Sequence, residues 1–127
     1  MAKEQVLSAK VPEPNKFYSQ AIKANGFLFV SGQVAIDESG AFTGGDAAAQ
    51  TRQAFANMRA LTEAAGATID DVVKIVIYLK DVADTAAARV VRGEVFAGPA
   101  YPSTTLVANV ALADPAWLVE IEAIVAL

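Results

Sequence analysis

Residues 72–79, Val-Val-Lys-Ile-Val-Ile-Tyr-Leu, constrain the fold more than any other stretch of the chain. β-Branched and aromatic side chains suit a pleated, half-buried surface, and a run this nearly continuous has the character of a central strand. The rest of the chain must then supply partner strands and a layer to cover the sheet.

The strongest partner signal is Asn25-Gly26. That dipeptide favours the positive φ angles of a two-residue hairpin turn, so residues 18–24 and 27–34 read as paired strands. Ahead of them, Val-Pro-Glu-Pro-Asn-Lys (residues 11–16) is an extended, proline-stiffened lead-in. A polar, glycine-rich connection over residues 37–45 leads to Asp46, an N-cap for a helix running to about Ala65 and closed by Gly66. Phe55, Met58, Leu61 and Ala65 recur at helical spacing and give that helix a buried face. Asp84 is placed to cap a second helix through about Phe96, which ends before Gly98-Pro99. Two more strands follow at residues 104–110 and 118–125, split by the turn-prone Ala113-Asp114-Pro115. This order implies an α/β fold: a two-layer sandwich with two helices on one face of a mixed sheet. At 127 residues the chain reads as a single domain over its whole length, 1–127.

Composition narrows the chemistry. Hydrophobic residues make up 54% of the chain, with a mean hydropathy of +0.37, which is high for a small domain and favours self-association. No apolar run approaches the roughly 20 residues of a membrane helix, and the opening Met-Ala-Lys-Glu-Gln lacks a secretory stretch. The expectation is a cytoplasmic protein with no membrane partner. A net charge of −4 with scattered basic residues argues against a nucleic-acid surface. The chain has neither histidine nor cysteine. Ser-His-Asp and Cys-His chemistry are therefore excluded, and neither a metal site nor a cofactor is expected. Acid–base work must fall to Glu, Asp, Tyr, Lys or bound water.

Three polar clusters interrupt otherwise apolar strands. They are Tyr18-Ser19-Gln20, Ser31-Gly32-Gln33 and Glu120-Ile121-Glu122. In the last, period-two alternation puts Glu120 and Glu122 on one face and Val119, Ile121 and Ala123 on the other. That pattern fits a solvated face or a ligand-facing pair of acids. Ser31-Gly32-Gln33 fits a β-bulge or a corner where glycine lets a ligand approach the backbone. Tyr18 fits a core aromatic with a bonded hydroxyl equally well.

Taken together, the clusters resemble the Rid (reactive intermediate deaminase, or YjgF) family. The matching residues are Pro12, Pro14, Tyr18-Ser19-Gln20-Ala21, Val30-Ser31-Gly32-Gln33, Gln50-Thr51-Arg52-Gln53 and Asn57. They continue in order through Ala64-Ala65-Gly66-Ala67, Asp71-Val72-Val73-Lys74, Phe96 and residues 119–124. The resemblance implies a chorismate-mutase-like fold assembled as a homotrimer around a central barrel, with small-molecule pockets in the clefts between subunits. It also implies hydrolysis of reactive imines and enamines, such as 2-aminoacrylate, to carbonyl compounds and ammonia. Carried onto this chain, Glu120, Tyr18 and Ser31 are the catalytic candidates. Glu120 would position the water. Gly32, Thr104, Arg89, Phe17 and Leu106 are the substrate-binding candidates, and the expected ligand is anionic.

The chain departs from the family pattern at telling places. Where the deaminases carry a carboxylate-gripping arginine in Pro-x-Arg-[Ser/Thr], this chain has Pro102-Ser103-Thr104-Thr105. A threonine hydroxyl offers no charge, and losing a charge-assisted bidentate contact costs about 1.5–3 kcal/mol. This places the chain in an arginine-lacking branch. Arg89 stands where a pocket-facing asparagine is usual, so it fits either a replacement cation or a solvated helix face. Lys16-Phe17 replaces the usual Gly-Pro and should reshape the pocket mouth. Three functions fit: deamination of a 2-aminoacrylate-like or aminomuconate-like substrate, non-catalytic binding of a small metabolite, and a protein-interaction or chaperone-like role.

Overall fold

The computed structural model describes residues 2–127. Its elements are β1 (Glu4–Val6), β2 (Ala21–Ala24), β3 (Phe27–Gln33), α1 (Ala47–Ala64), β4 (Val72–Leu79), α2 (Thr85–Val95), β5 (Ser103–Val107) and β6 (Val119–Ala126). Six strands form one sheet in the order β1-β2-β3-β6-β4-β5. Only β4 and β5 run parallel, so the sheet is mixed, as expected. β4 lies inside the sheet, hydrogen-bonded to β6 on one side and β5 on the other.

The hairpin forms at the expected turn. Asn25 (φ 57°) and Gly26 (φ 80°) both adopt the left-handed conformation that a type I′ turn demands. Asp46 caps α1 by accepting a 2.9 Å hydrogen bond from the Ala49 backbone N–H. Phe55, Met58 and Leu61 then point into the core, where β6 contributes Val119, Ile121, Ala123 and Val125. α1 packs on β3 and β6 and alongside α2, which adds Ala88 and Val91 to the same core. The opposite face of β6, with Glu120, Glu122, Ile124 and Ala126, is only half buried, and Phe27 and Phe29 of β3 are exposed. The sandwich therefore has two layers, with helices on one face of the sheet.

Several boundaries differ from expectation. β1 was not foreseen, because only Val6 of its three residues is buried and its pairing depends wholly on β2. β2 begins at Ala21, so Tyr18, Ser19 and Gln20 lie in the segment before the strand. Ahead of that segment Phe17 adopts φ 79°, a left-handed conformation that turns the chain before Tyr18. Asp84 occupies the position before α2 but makes no capping bond. The capping carboxylate is instead Asp81, which accepts from the Ala83 N–H and starts a 3-10 turn over Val82–Asp84. β5 stops at Val107, and two residues later Asn109 takes a φ of 61° that turns the chain away.

Candidate functional site

The site forms where β3 departs from regular pairing with β6. Val30 faces Ala123 and Gln33 faces Ile121, so β3 carries one residue more than its partner across that interval. The extra residue is a bulge at Ser31-Gly32, and it re-aims both residues away from the ladder. A buried amide network holds the bulge in place. Gln33 Nε2 donates to Gln20 Oε1 (2.9 Å) and to the Ser31 carbonyl (3.0 Å), and Gln20 Nε2 donates to the Pro12 carbonyl (3.1 Å). Ser31 Oγ donates to the Ser19 carbonyl (2.6 Å) and the Ser31 N–H to the Gln20 carbonyl (2.9 Å). These bonds pin the segment carrying Tyr18 beside the bulge. The Ser31 proton is already committed, so its hydroxyl faces a ligand as an acceptor.

Beside the bulge, the Glu120 side chain lies directly over Gly32. A β-carbon placed on Gly32 would come within 2.8 Å of Glu120 Cδ and 2.9 Å of its Cγ. Ordinary carbon–carbon contact needs about 3.5–4.0 Å, so only glycine accommodates the carboxylate there. The sequence left open a bulge or a corner for ligand approach at this glycine; the bulge forms, and the glycine also seats the acid.

Glu120 and Glu122 share a strand face yet occupy different environments. The Tyr78 hydroxyl donates a short hydrogen bond to Glu122 Oε1, and this bond, followed by burial, raises the Tyr78 pKa. Glu120 sits opposite Tyr78 in the antiparallel ladder. Burial raises its pKa, and the nearby Glu122 charge raises it further. Neither cause is a hydrogen bond to Glu120. The half-buried carboxyl is thus the acid whose proton affinity moves toward neutral pH, which suits a group that both takes and returns protons.

A cavity of about 400 Å³ opens over this corner, within the usual size range of small-ligand sites. Tyr18, Ser31, Gly32 and Glu120 all line it. A second hollow of about 480 Å³ shares Gly32 and Glu120 with it and extends toward Tyr78, Glu122 and residues 110–113. Glu120 therefore stands at the junction of the two.

The remaining expected binding residues are not brought to the first cavity within one chain. Phe17 is fully exposed outside it. Thr104 is exposed on β5 and donates to the Pro102 carbonyl (3.0 Å). Leu106 packs against the core, and Arg89 is exposed on α2. Sequence reasoning missed Glu13, Asn15 and Trp117, all of which line the cavity. Trp117 had a readable signal: it is the only tryptophan and lies two residues before β6. Among the described residues, no cluster of acidic side chains is arranged to hold a metal ion. Among the same described residues, no helix is long and apolar enough to cross a membrane.

Fold and site together define a small α/β sandwich with a ligand-sized polar pocket built around a sheet bulge and an acid. Residues 8–127 match the family model described as Endoribonuclease L-PSP. The chain is 43% identical to a RutC family protein of Pyrococcus abyssi over 125 residues, covering 98% of this chain and 97% of that one. A solved structure of a Rid family protein of unknown function from Yersinia pestis superimposes with a TM-score of 0.93 at 33% identity, covering 99% and 100% of the two chains. A 2-iminobutanoate/2-iminopropanoate deaminase of Dermatophagoides farinae is 34% identical over 127 residues, covering 98% of each. The chain belongs to this family, in which the RutC and Rid proteins are its relatives.

Proposed function

We propose that this protein hydrolyses a small reactive imine or enamine to a carbonyl compound and ammonia, with Glu120 handling the protons. The observation that carries the reading is an acid of raised pKa, pressed over Gly32 at the junction of two hollows. The named activity of the Dermatophagoides farinae relative supports it.

The chemistry follows from the groups present. An enamine must first gain a proton at carbon to become an iminium ion, and protonated Glu120 supplies it. The resulting carboxylate takes a proton from water as its oxygen bonds to the iminium carbon. The carbinolamine formed then receives that proton on nitrogen, the C–N bond breaks and ammonia leaves, while the hydroxyl proton returns to the Glu120 carboxylate as the C=O bond forms. Tyr18 and the Ser31 hydroxyl orient the water and the iminium N–H groups. Because imines already react with water, positioning supplies much of the acceleration. The resemblance to the Rid family points to 2-aminoacrylate-like or aminomuconate-like substrates.

We place this site in a cleft between subunits of a homotrimer whose sheets close into a central barrel. Phe27 and Phe29 on the uncovered sheet face support that placement. So does the absence of Thr104, Leu106 and Arg89 from the single-chain cavity, since a neighbouring subunit can bring them to it. An acidic chain without histidine gives no support to ribonucleolytic chemistry.

The test is ammonia release from imines generated in the assay. Wild-type protein accelerates it over the spontaneous rate, and Glu120→Ala does not. Saturable ligand binding without turnover would favour a metabolite-binding role instead.

A further inference from the structure

Glu120 shares its strand face with a second acid, and that neighbour bears on what Glu120 can do, given the deaminase reading on which this inference rests. Glu122 follows two residues later on β6, about 7 Å along the strand. Across the ladder, Tyr78 of β4 is the register partner of Glu120, yet its hydroxyl reaches diagonally and donates to Glu122 Oε1. A long aromatic side chain spans such a diagonal. Tyr78, Glu120 and Glu122 all line the 480 Å³ hollow. Of the three, Glu120 alone also lines the 400 Å³ cavity.

Two neighbouring carboxyl groups compete for a proton, because each charge disfavours the other. The Tyr78 hydroxyl breaks the symmetry. A hydrogen bond donated to a carboxylate favours its charged form, and this one is given to Glu122. At Glu120, burial and then the Glu122 charge raise the pKa, and neither cause is a hydrogen bond. Pairs of acids held in unlike environments divide proton-carrying and charge-carrying roles in this way.

The other charges on this face belong to β4. Lys74 lines a small recess with Glu122, and Lys80 Nζ donates to the Pro115 carbonyl (2.7 Å). Among the described residues the only ion pair is Arg52–Glu94, so Lys74 does not close on Glu122. β3 and residues 110–113 carry no charged side chain. Tyr78, Glu120 and Glu122 lie on adjacent strands of one chain, so their contacts hold whatever a neighbouring subunit adds at the cleft.

We infer that Tyr78 and Glu122 are a positioning pair for the reaction: Tyr78 holds Glu122 as the charged member, and that charge keeps the transferable proton on Glu120. Neither residue lines the first cavity, so both act through Glu120. The enamine step needs Glu120 protonated, and the water step needs it ionised. An isolated glutamate holds a proton less than ~1% of the time at pH 7. The pair enlarges that share.

Glu122→Gln removes the charge while keeping the shape and an oxygen for the Tyr78 bond. Carboxyl-carbon NMR, with the Glu120 signal assigned by its loss in Glu120→Gln, should place the Glu120 midpoint at lower pH in Glu122→Gln than in wild type. Glu122→Asp keeps the charge and should leave the midpoint above that of the Gln variant. Tyr78→Phe should move it in the same direction as Glu122→Gln but less far, because an untethered carboxylate swings away. An unmoved midpoint in Glu122→Gln overturns the inference and leaves the deaminase reading intact.

Turnover adds a test of sign that structural damage does not mimic. The substrates are 2-aminoacrylate, formed from serine by elimination of water, and its tautomer 2-iminopropanoate, formed from alanine by an amino-acid oxidase. At the wild-type midpoint Glu120 is half ionised. There Glu122→Gln should raise kcat/KM on the imine by up to about twofold and lower it at least about twofold on the enamine. Equal losses on both substrates overturn the positioning role. If wild type hydrolyses neither faster than buffer, the deaminase reading fails, and the NMR midpoints still decide whether the pair governs the Glu120 proton.

Discussion

Substituting Gly32 with alanine isolates the contact on which the site is built. The backbone at Gly32 is not in the left-handed region, so alanine meets no conformational penalty there. Its methyl group would lie 2.8 Å from Glu120 Cδ. Because Glu120 Oε1 would lie nearer still, restoring ordinary contact requires the carboxyl group to retreat by about 1 Å or more. A misplacement of about 1 Å in a reacting group costs on the order of 10²-fold in rate. Gly32→Ala should therefore lower kcat for imine hydrolysis about 100-fold. Stability should change little, because the carboxyl is half buried and has room to swing outward. Replacing glycine also removes unfolded-state entropy worth about 0.4–1 kcal/mol, which offsets residual strain. The assay pairs ammonia release with thermal unfolding. A folded Gly32→Ala protein with wild-type kcat would refute the argument that Gly32 exists to seat Glu120.

Two further outcomes follow from the site's electrostatics and its scaffold. On a preformed imine, where Glu120 enters as the base that activates water, kcat/KM rises with pH through its raised pKa, above the ordinary 4.5 of a glutamate, whereas on an enamine, which needs protonated Glu120 first, it falls. Over the same window the folded protein holds a proton that the unfolded chain has released, so stability falls as pH rises. Glu120→Gln should abolish both trends, and a pH–stability curve unchanged in that variant would contradict the assignment. Asn57 holds the carbonyls of Val34 and Ile36 behind the cavity; Asn57→Ala leaves Val34 its bond from the Ile36 N–H (2.8 Å) but strands the Ile36 carbonyl, and costs about 1–3 kcal/mol. Denaturant unfolding checks this, and a loss below about 0.5 kcal/mol would show that water replaces the amide.

Elements governed by local chemistry were legible in the sequence. Asn25-Gly26 specifies its turn because both residues tolerate positive φ, and Asp46 caps α1 through its own side chain. Elements defined by a distant partner were not. Glu4–Val6 becomes a strand only because Ala21–Ala24 lies beside it, and no pattern in three residues announces that pairing. Asp81 and Asp84 both precede α2, and only the backbone path through the 3-10 turn decides which one caps.

The site divides in the same way. Glu120 stood out as a charge inside an apolar strand, and Ser31-Gly32 as a possible bulge. The reason for Gly32 depends on a side chain 88 positions away in sequence, which spacing does not reveal. Glu13, Asn15 and Trp117 come from loops that meet only after folding, so their pattern carries no period.

The central claim is that Glu120 performs proton transfer in imine hydrolysis. Its most direct test compares kcat for ammonia release by wild-type and Glu120→Gln proteins on one imine generated in the assay. A positioned general acid–base group is worth roughly 10²–10⁴-fold. The variant, folded and still binding ligand, should lose that much. Turnover within twofold of wild type would contradict the claim.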